Sequence, residues 1–129
     1  MKGRIIKKGR AEGIALVSSE SIGFLGGVDP ETGIVVEKNH PLEGQDITGK
    51  ILVFPTGKGS TVGSYTMYWL KKSGHAPKGI ICEESEAIVA VGAIISHIPM
   101  VDKIDISQIK TGQTVKIEGE DVEVRVHRS

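Results

Sequence analysis

The chain has 129 residues, about one domain, and its 16 Lys and Arg cancel its 16 Asp and Glu with no long run of like charge, so neither a nucleic-acid footprint nor a polybasic membrane patch is expected. Cys82 is the only cysteine, which excludes an internal disulfide, cannot alone hold a structural zinc or an iron-sulfur cluster, and points to a reducing compartment. The opening residues 1–8 lack the apolar stretch of a signal peptide, and nothing downstream approaches the roughly 18 apolar residues of a membrane span, so a soluble, unprocessed, cytoplasmic protein is expected.

Seventeen glycines and an aromatic content of 4% predict short strands joined by tight turns. Residues 13–17 read as a strand and residues 22–25 as another. The turn-rich stretch 26–33 is a shaped loop ahead of the apolar run Ile34-Val35-Val36. His40-Pro41-Leu42-Glu43-Gly44 and Thr48-Gly49-Lys50 punctuate the approach to Ile51–Phe54, whose unbroken apolarity predicts a strand buried on both faces. After a Gly-Lys-Gly-Ser-Thr loop at residues 57–61, the spacing of Val62, Tyr65, Thr66, Trp69 and Leu70 predicts an amphipathic helix over 62–73, with Gly74 and Pro77 as its stop. Gly79–Cys82 reads as a strand, and Ala87–Ile95 is helix or strand, its length favouring helix. Residues 99–101 then form a strand, and 113–117 with 122–126 a closing hairpin around 118–121. No repeat, low-complexity tract or linker interrupts the chain, so residues 1–129 are read as one β-rich α/β domain with few helices.

The loop at 57–61 is where chemistry is expected. Ser60 stands between a strand and a helix; two glycines let the backbone turn tightly, and the first helix amides present positive dipole ends to an anion. The five residues lack the full Walker spacing, and a glycine-serine loop before a helix is by default a turn with an N-cap. Bland readings hold elsewhere too: Asp29 before Pro30 as an Asx turn, His40 and His75 as solvated residues beside proline-containing turns, Cys82 as a small core residue, and Trp69 in core or subunit packing.

The ordered set 13–17, Gly26-Gly27-Val28-Asp29-Pro30, Gly57-Lys58-Gly59-Ser60, Gly63-Ser64, Gly74-His75-Ala76-Pro77, Gly92-Ala93 and Ile98-Pro99 resembles the swivel domain of the aconitase X family over nearly the whole chain. The resemblance implies a swivelling β/β/α fold. It is strongest to the archaeal branch in which this domain is a free-standing chain paired with a large subunit. There the expected reaction is dehydration of (R)-5-phosphomevalonate to trans-anhydromevalonate 5-phosphate, in the modified mevalonate route to isoprenoids. The large subunit would carry the iron-sulfur cluster, a 4Fe-4S cluster acting as Lewis acid on the departing hydroxyl, and this chain would hold no metal. Ser60 maps onto the family's proton-abstracting serine, with Lys58, Gly59, Thr61 and Asp29 as substrate-binding candidates. Aconitases proper follow the serine pair with an arginine, whereas Val62 stands here, so cationic help must come from Lys58 or the other subunit.

A dehydratase of cis-3-hydroxy-L-proline, from the same family, remains open as an alternative. Ser96-His97 and the terminal pattern Gly112, Val115, Ile117, Gly119 are also similar to swivelling phosphohistidine domains. In those the histidine precedes an alanine-rich helix, a place taken here by Glu86, so the carrier function is disfavoured.

Overall fold

A computed structural model describes residues 1–125 of the chain. Seven strands form one mixed sheet: β1 (Arg4–Lys7), β2 (Arg10–Val17), β3 (Ile51–Phe54), β4 (Gly79–Cys82), β5 (Met100–Asp102), β6 (Thr114–Glu118) and β7 (Asp121–Arg125), in spatial order β1-β5-β4-β3-β2-β6-β7. The middle strands β2, β3, β4 and β5 run parallel, while β1 and the β6–β7 hairpin are antiparallel edges. Helices α1 (Gly63–Ser73) and α2 (Ala87–Ile95) are the crossovers between parallel strands, and a short 3-10 turn spans Ile106–Gln108.

β3 is buried on both faces, as its unbroken apolarity predicts. Side chains alternate along a strand, so Leu52 and Phe54 join the core under the helices with Met67, Leu70, Val89 and Ala93. Ile51 and Val53 join a second core with Val115, Ile117 and Val122 on the opposite face. α2 starts where expected, its first amides at Ile88 and Val89 capped by the Glu86 carboxylate at 2.9 and 2.6 Å. α1 ends at Gly74, whose φ of 82° is the left-handed cap that glycine supplies.

Four sequence readings need correction. β1 was not anticipated, since its polar sequence contains only two apolar residues; it is held by pairing to β5 and by the Arg4 guanidinium on the fully buried Asp102 carboxylate at 2.7 and 3.0 Å. Residues 22–25 are not a strand: Ile22 makes a single parallel bridge to Gly57, after which the Phe24 carbonyl accepts from the Gly27 and Val28 amides and closes a turn. Ile22 and Phe24 are apolar plugs, Phe24 meeting Phe54 edge-on at 6.4 Å. The buried face of α1 is Gly63, Ser64, Thr66, Met67 and Leu70, so Val62, Tyr65 and Trp69 point outward although their spacing suggested the core. Finally, β2 begins at Arg10 rather than Gly13, its first half paired to β6. Val126 of the expected closing strand lies outside the described residues.

No helix among the described residues is long and apolar enough to cross a membrane.

Candidate functional site

In parallel α/β sheets the crevice outside the carboxyl ends of the strands is where ligands bind, and the loop after β3 occupies that edge. It is built on glycine. A side chain at Gly57 would run into the Glu86 carboxylate and Val89, so the loop between β3 and α1 can lie against the start of α2 only without a Cβ there. Gly59 has φ 99°, a conformation other residues rarely adopt. The loop is pinned from one side by residues 22–24, the Ile22 amide bonding the Thr56 carbonyl at 3.3 Å and the Lys58 amide bonding the Ile22 carbonyl at 3.0 Å. Beyond that pin, residues 58–62 are exposed.

Ser60 is presented at the tip. Its Oγ accepts from the Val62 amide at 3.2 Å, and its carbonyl accepts from the Gly63 amide at 2.8 Å. Among the described residues the amides of Gly59, Ser60 and Thr61 donate to no protein acceptor. Those free donors, at the positive end of an 11-residue helix, favour negative charge at or beside the Ser60 oxygen. The Val62 amide acts in the same direction, because a donor aimed at a hydroxyl oxygen favours its ionised form.

The other candidates divide. Lys58 makes no hydrogen bond to Ser60; its ammonium lies 3.0 Å from Glu37 Oε2. Thr61 links the loop to an apolar groove of ≈ 340 Å³ between α1 and α2, lined also by Tyr65, Ile88, Val91 and Ile95. Asp29 makes no hydrogen bond to the loop among the described residues. Its Oδ1 accepts from the Glu31 amide at 2.9 Å, the expected Asx turn, and it lines a separate groove with Trp69 and Thr66. Ser64, the second serine of the motif, is buried and donates from Oγ to the Ile88 carbonyl at 2.6 Å, tying α1 to α2.

His40 corrects its solvated reading. It is buried, with Nδ1 accepting from the Leu42 amide and Nε2 donating to the Ser21 carbonyl, both at 3.0 Å, which makes it a neutral brace for the 38–45 turn. Sequence reasoning missed this because proline-flanked histidines carry no burial signal of their own. It also missed Glu86 as the residue that shapes the Ser60 loop, because glutamate is not among the residues that ordinarily signal an N-cap. His75 is half-buried with Nδ1 3.3 Å from Thr48 Oγ1. His97, exposed with φ 55° after α2, lines the far end of the sheet. A concavity of ≈ 840 Å³ is also at that far end, where Lys7, Lys8, Arg10, Lys71 and Lys78 gather at the carboxyl ends of both helices; cations there complement the helix dipoles.

Metal chemistry has no home in these residues. Cys82 is a fully buried core residue whose thiol is pushed up by burial first and by Asp102 and Glu86 next, and the described residues hold no group of three or more His, Cys, Asp or Glu able to bind a metal ion.

With this geometry in place, comparisons with known proteins are informative. The family profile described as the aconitase X swivel domain matches residues 1–126. The phosphomevalonate dehydratase small subunit of Thermococcus kodakarensis is 58% identical over 126 residues, covering 98% of this chain and 95% of that one. The chain of the same description from Methanosarcina acetivorans is 59% identical over 122 residues, covering 92% and 85%. Among solved structures, the holo-form crystal structure of Thermococcus kodakaraensis aconitase X superposes with a TM-score of 0.95 at 57% identity, covering 97% of each chain.

Proposed function

The chain belongs to the aconitase X swivel-domain family, and from that membership we propose that it is the small subunit of a phosphomevalonate dehydratase, a hydro-lyase assembled with a separate large subunit. The reaction is loss of water from (R)-5-phosphomevalonate to give trans-anhydromevalonate 5-phosphate. The observation that carries this reading is the near-full-length likeness to chains bearing that name. In this reading residues 1–129 act as one swivel domain in a cytosolic heterodimer.

Ser60 is the proton acceptor. A free serine hydroxyl is far too weak an acid to serve as its own alkoxide near neutral pH, so the site must stabilise the charged oxygen. The donors for that are on this chain: the Val62 amide on Oγ and the free amides of Gly59, Ser60 and Thr61 at the start of α1. Lys58, Gly59 and Thr61 receive the substrate's anionic groups. Asp29, whose Oδ2 has no hydrogen-bond partner among the described residues, is assigned to the rim where substrate and large subunit meet.

With one cysteine in the chain, and no group of three or more metal-ligating side chains among the described residues, we assign the cluster to the large subunit, as 4Fe-4S. Docking to that subunit has support in the outer faces of the helices. α2 contains no charged residue and exposes Val91, Ile94 and Ile95, while α1 exposes Val62, Tyr65, Tyr68 and Trp69. Apolar side chains gathered on one side of a small protein mark a contact surface more often than a solvated one.

Reconstitution tests the proposal. Purified small and large subunits, mixed anaerobically with the cluster rebuilt, should dehydrate 5-phosphomevalonate, and neither chain alone should. Turnover of cis-3-hydroxy-L-proline instead, or turnover by this chain alone, would replace the reading.

A further inference from the structure

We propose that Glu37 is the resident counter-ion of Lys58, which an incoming oxyanion must displace or share, so that Glu37 sets how strongly this loop holds substrate in the ground state. The inference rests on the proposed function, in which Lys58 meets an anionic group of the substrate.

Lys58 lies two residues before Ser60 on the β3–α1 loop, whereas Glu37 comes from the long excursion between β2 and β3. Their side chains meet at 3.0 Å. The meeting is built rather than incidental. Glu37 is held by its amide on the Gly27 carbonyl at 3.3 Å and by its carbonyl accepting from the His40 amide at 3.4 Å, with His40 itself buried and doubly bonded. Lys58 is held by its amide on Ile22. Glycines clear the space between them: a Cβ at Gly23 would sit 3.0 Å from the Lys58 carbonyl and 3.3 Å from its Cγ, and one at Gly27 would run into the Gly23 carbonyl.

The pair is half in water, with side chains 48% and 31% exposed, and ion pairs of that exposure are weak enough to exchange. Lysine has three donors, so an oxyanion can take a second N–H while Glu37 keeps the first. The two anions then flank one cation and repel each other. Whether Glu37 leaves or stays, its charge opposes binding of the substrate's phosphate or carboxylate at Lys58. Among the described residues no other ion pair of Glu37 or Lys58 offsets this.

The test uses the reconstituted heterodimer and steady-state kinetics, with inorganic phosphate and acetate as separate competitors. Glu37→Gln should lower KM about 2- to 5-fold with little change in kcat, and should tighten inhibition by one competitor to a similar degree, as expected for removal of one exposed opposing charge. The competitor that gains identifies the oxyanion Lys58 meets. Glu37→Ala should act in the same direction, and both effects should vanish in a Lys58→Met background. If Lys58→Met raises KM but Glu37→Gln and Glu37→Ala leave it unchanged or raise it, the counter-ion role is refuted while the anion-binding role of Lys58 stands. An unchanged KM in Lys58→Met removes both. A gain from Glu37→Gln that persists without Lys58 also refutes the inference, because it would not pass through the ammonium.

Discussion

Ser60 and Ser64 are four residues apart, one exposed and the other buried, so one pair of substitutions separates the proposed chemistry from architecture. Ser60 is exposed, and replacing it with alanine removes one exposed hydrogen bond, from the Val62 amide at 3.2 Å. Water replaces that partner, so the fold should lose no more than about 0.5–1 kcal/mol. Turnover should fall by at least about 10²-fold, the lower range for losing a positioned acid-base group. Ser64 is 6% exposed, and its hydroxyl satisfies the Ile88 carbonyl at 2.6 Å. Ser64→Ala removes that tie while the Ile88 carbonyl keeps its place in the α2 ladder, at a cost of about 0.5–1.5 kcal/mol, which for a domain of this size lowers Tm by about 2–8 °C. The assays are thermal melting by circular dichroism on the free chain and dehydration of 5-phosphomevalonate by the heterodimer well below either melting point. Ser60→Ala should melt nearly like the wild type and be almost inactive; Ser64→Ala should melt early and turn over. Near-wild-type turnover in Ser60→Ala within an intact heterodimer refutes Ser60 as the proton acceptor. Loss in Ser64→Ala alone would move that role to the second serine.

Acid should expose the tie between β1 and β5. Burial pushes the Asp102 carboxyl up, but hydrogen bonds from Arg4 and Ser85 and the Arg4 charge together outweigh it, leaving the group below the ordinary carboxylate range. Its contribution is therefore full above the unfolded carboxylate value and is lost as pH falls through the lower folded value; Asp102→Asn should remove about 1.5–3 kcal/mol near neutrality and flatten this part of the acid limb in urea melts followed against pH, whereas an unchanged limb would show that Asp102 does not titrate on unfolding. On the outer face of α2, Ile94 is 46% exposed, so Ile94→Glu should leave the free chain's Tm within a few degrees, as surface changes of about 0.5 kcal/mol do, while weakening association with the large subunit at least about 10-fold by calorimetry. Unaltered association would take α2 out of the interface.

Local signals carried most of the framework. Four apolar residues in a row made β3 a doubly buried strand, Gly74 ended α1, and the length of the apolar run Ala87–Ile95 marked α2 as a helix. What failed was decided by tertiary pairing. β1 is polar in isolation and becomes a strand only because β5 and Asp102 are waiting for it. Ile22 and Phe24 look like strand residues because they are apolar, yet their burial comes from plugging the core beside Phe54 while the backbone turns. The helical stripe of α1 misled for a related reason. Its largest apolar residues face outward, and its packing face uses Gly63, Ser64 and Thr66, small enough to let α2 approach. At the site, the glycine-serine loop was legible because its backbone requirement is local. The attachment of Lys58 to Glu37 was not, since 21 residues separate them and nothing in either neighbourhood specifies the other.

That failed stripe bears directly on the proposed chemistry. An alkoxide at Ser60 is worth stabilising only where water is excluded, since the same amides acting through bulk solvent are worth a small fraction of what they are worth in a dry cleft. Residues 58–62 stand in solvent, and no element among the described residues folds over them. Closure must then come from another surface, and that surface must be apolar if it is to expel water rather than trade one set of hydrogen bonds for another. The aromatic and aliphatic side chains turned outward from α1 and α2, beginning at Val62 directly beside the serine, are what such a surface would bury. A helix optimised for this chain's own core would have turned Tyr65 and Trp69 inward. Their outward placement leaves apolar surface in water on the free chain, and it is what the proposed site, shared between the serine and the large subunit, requires.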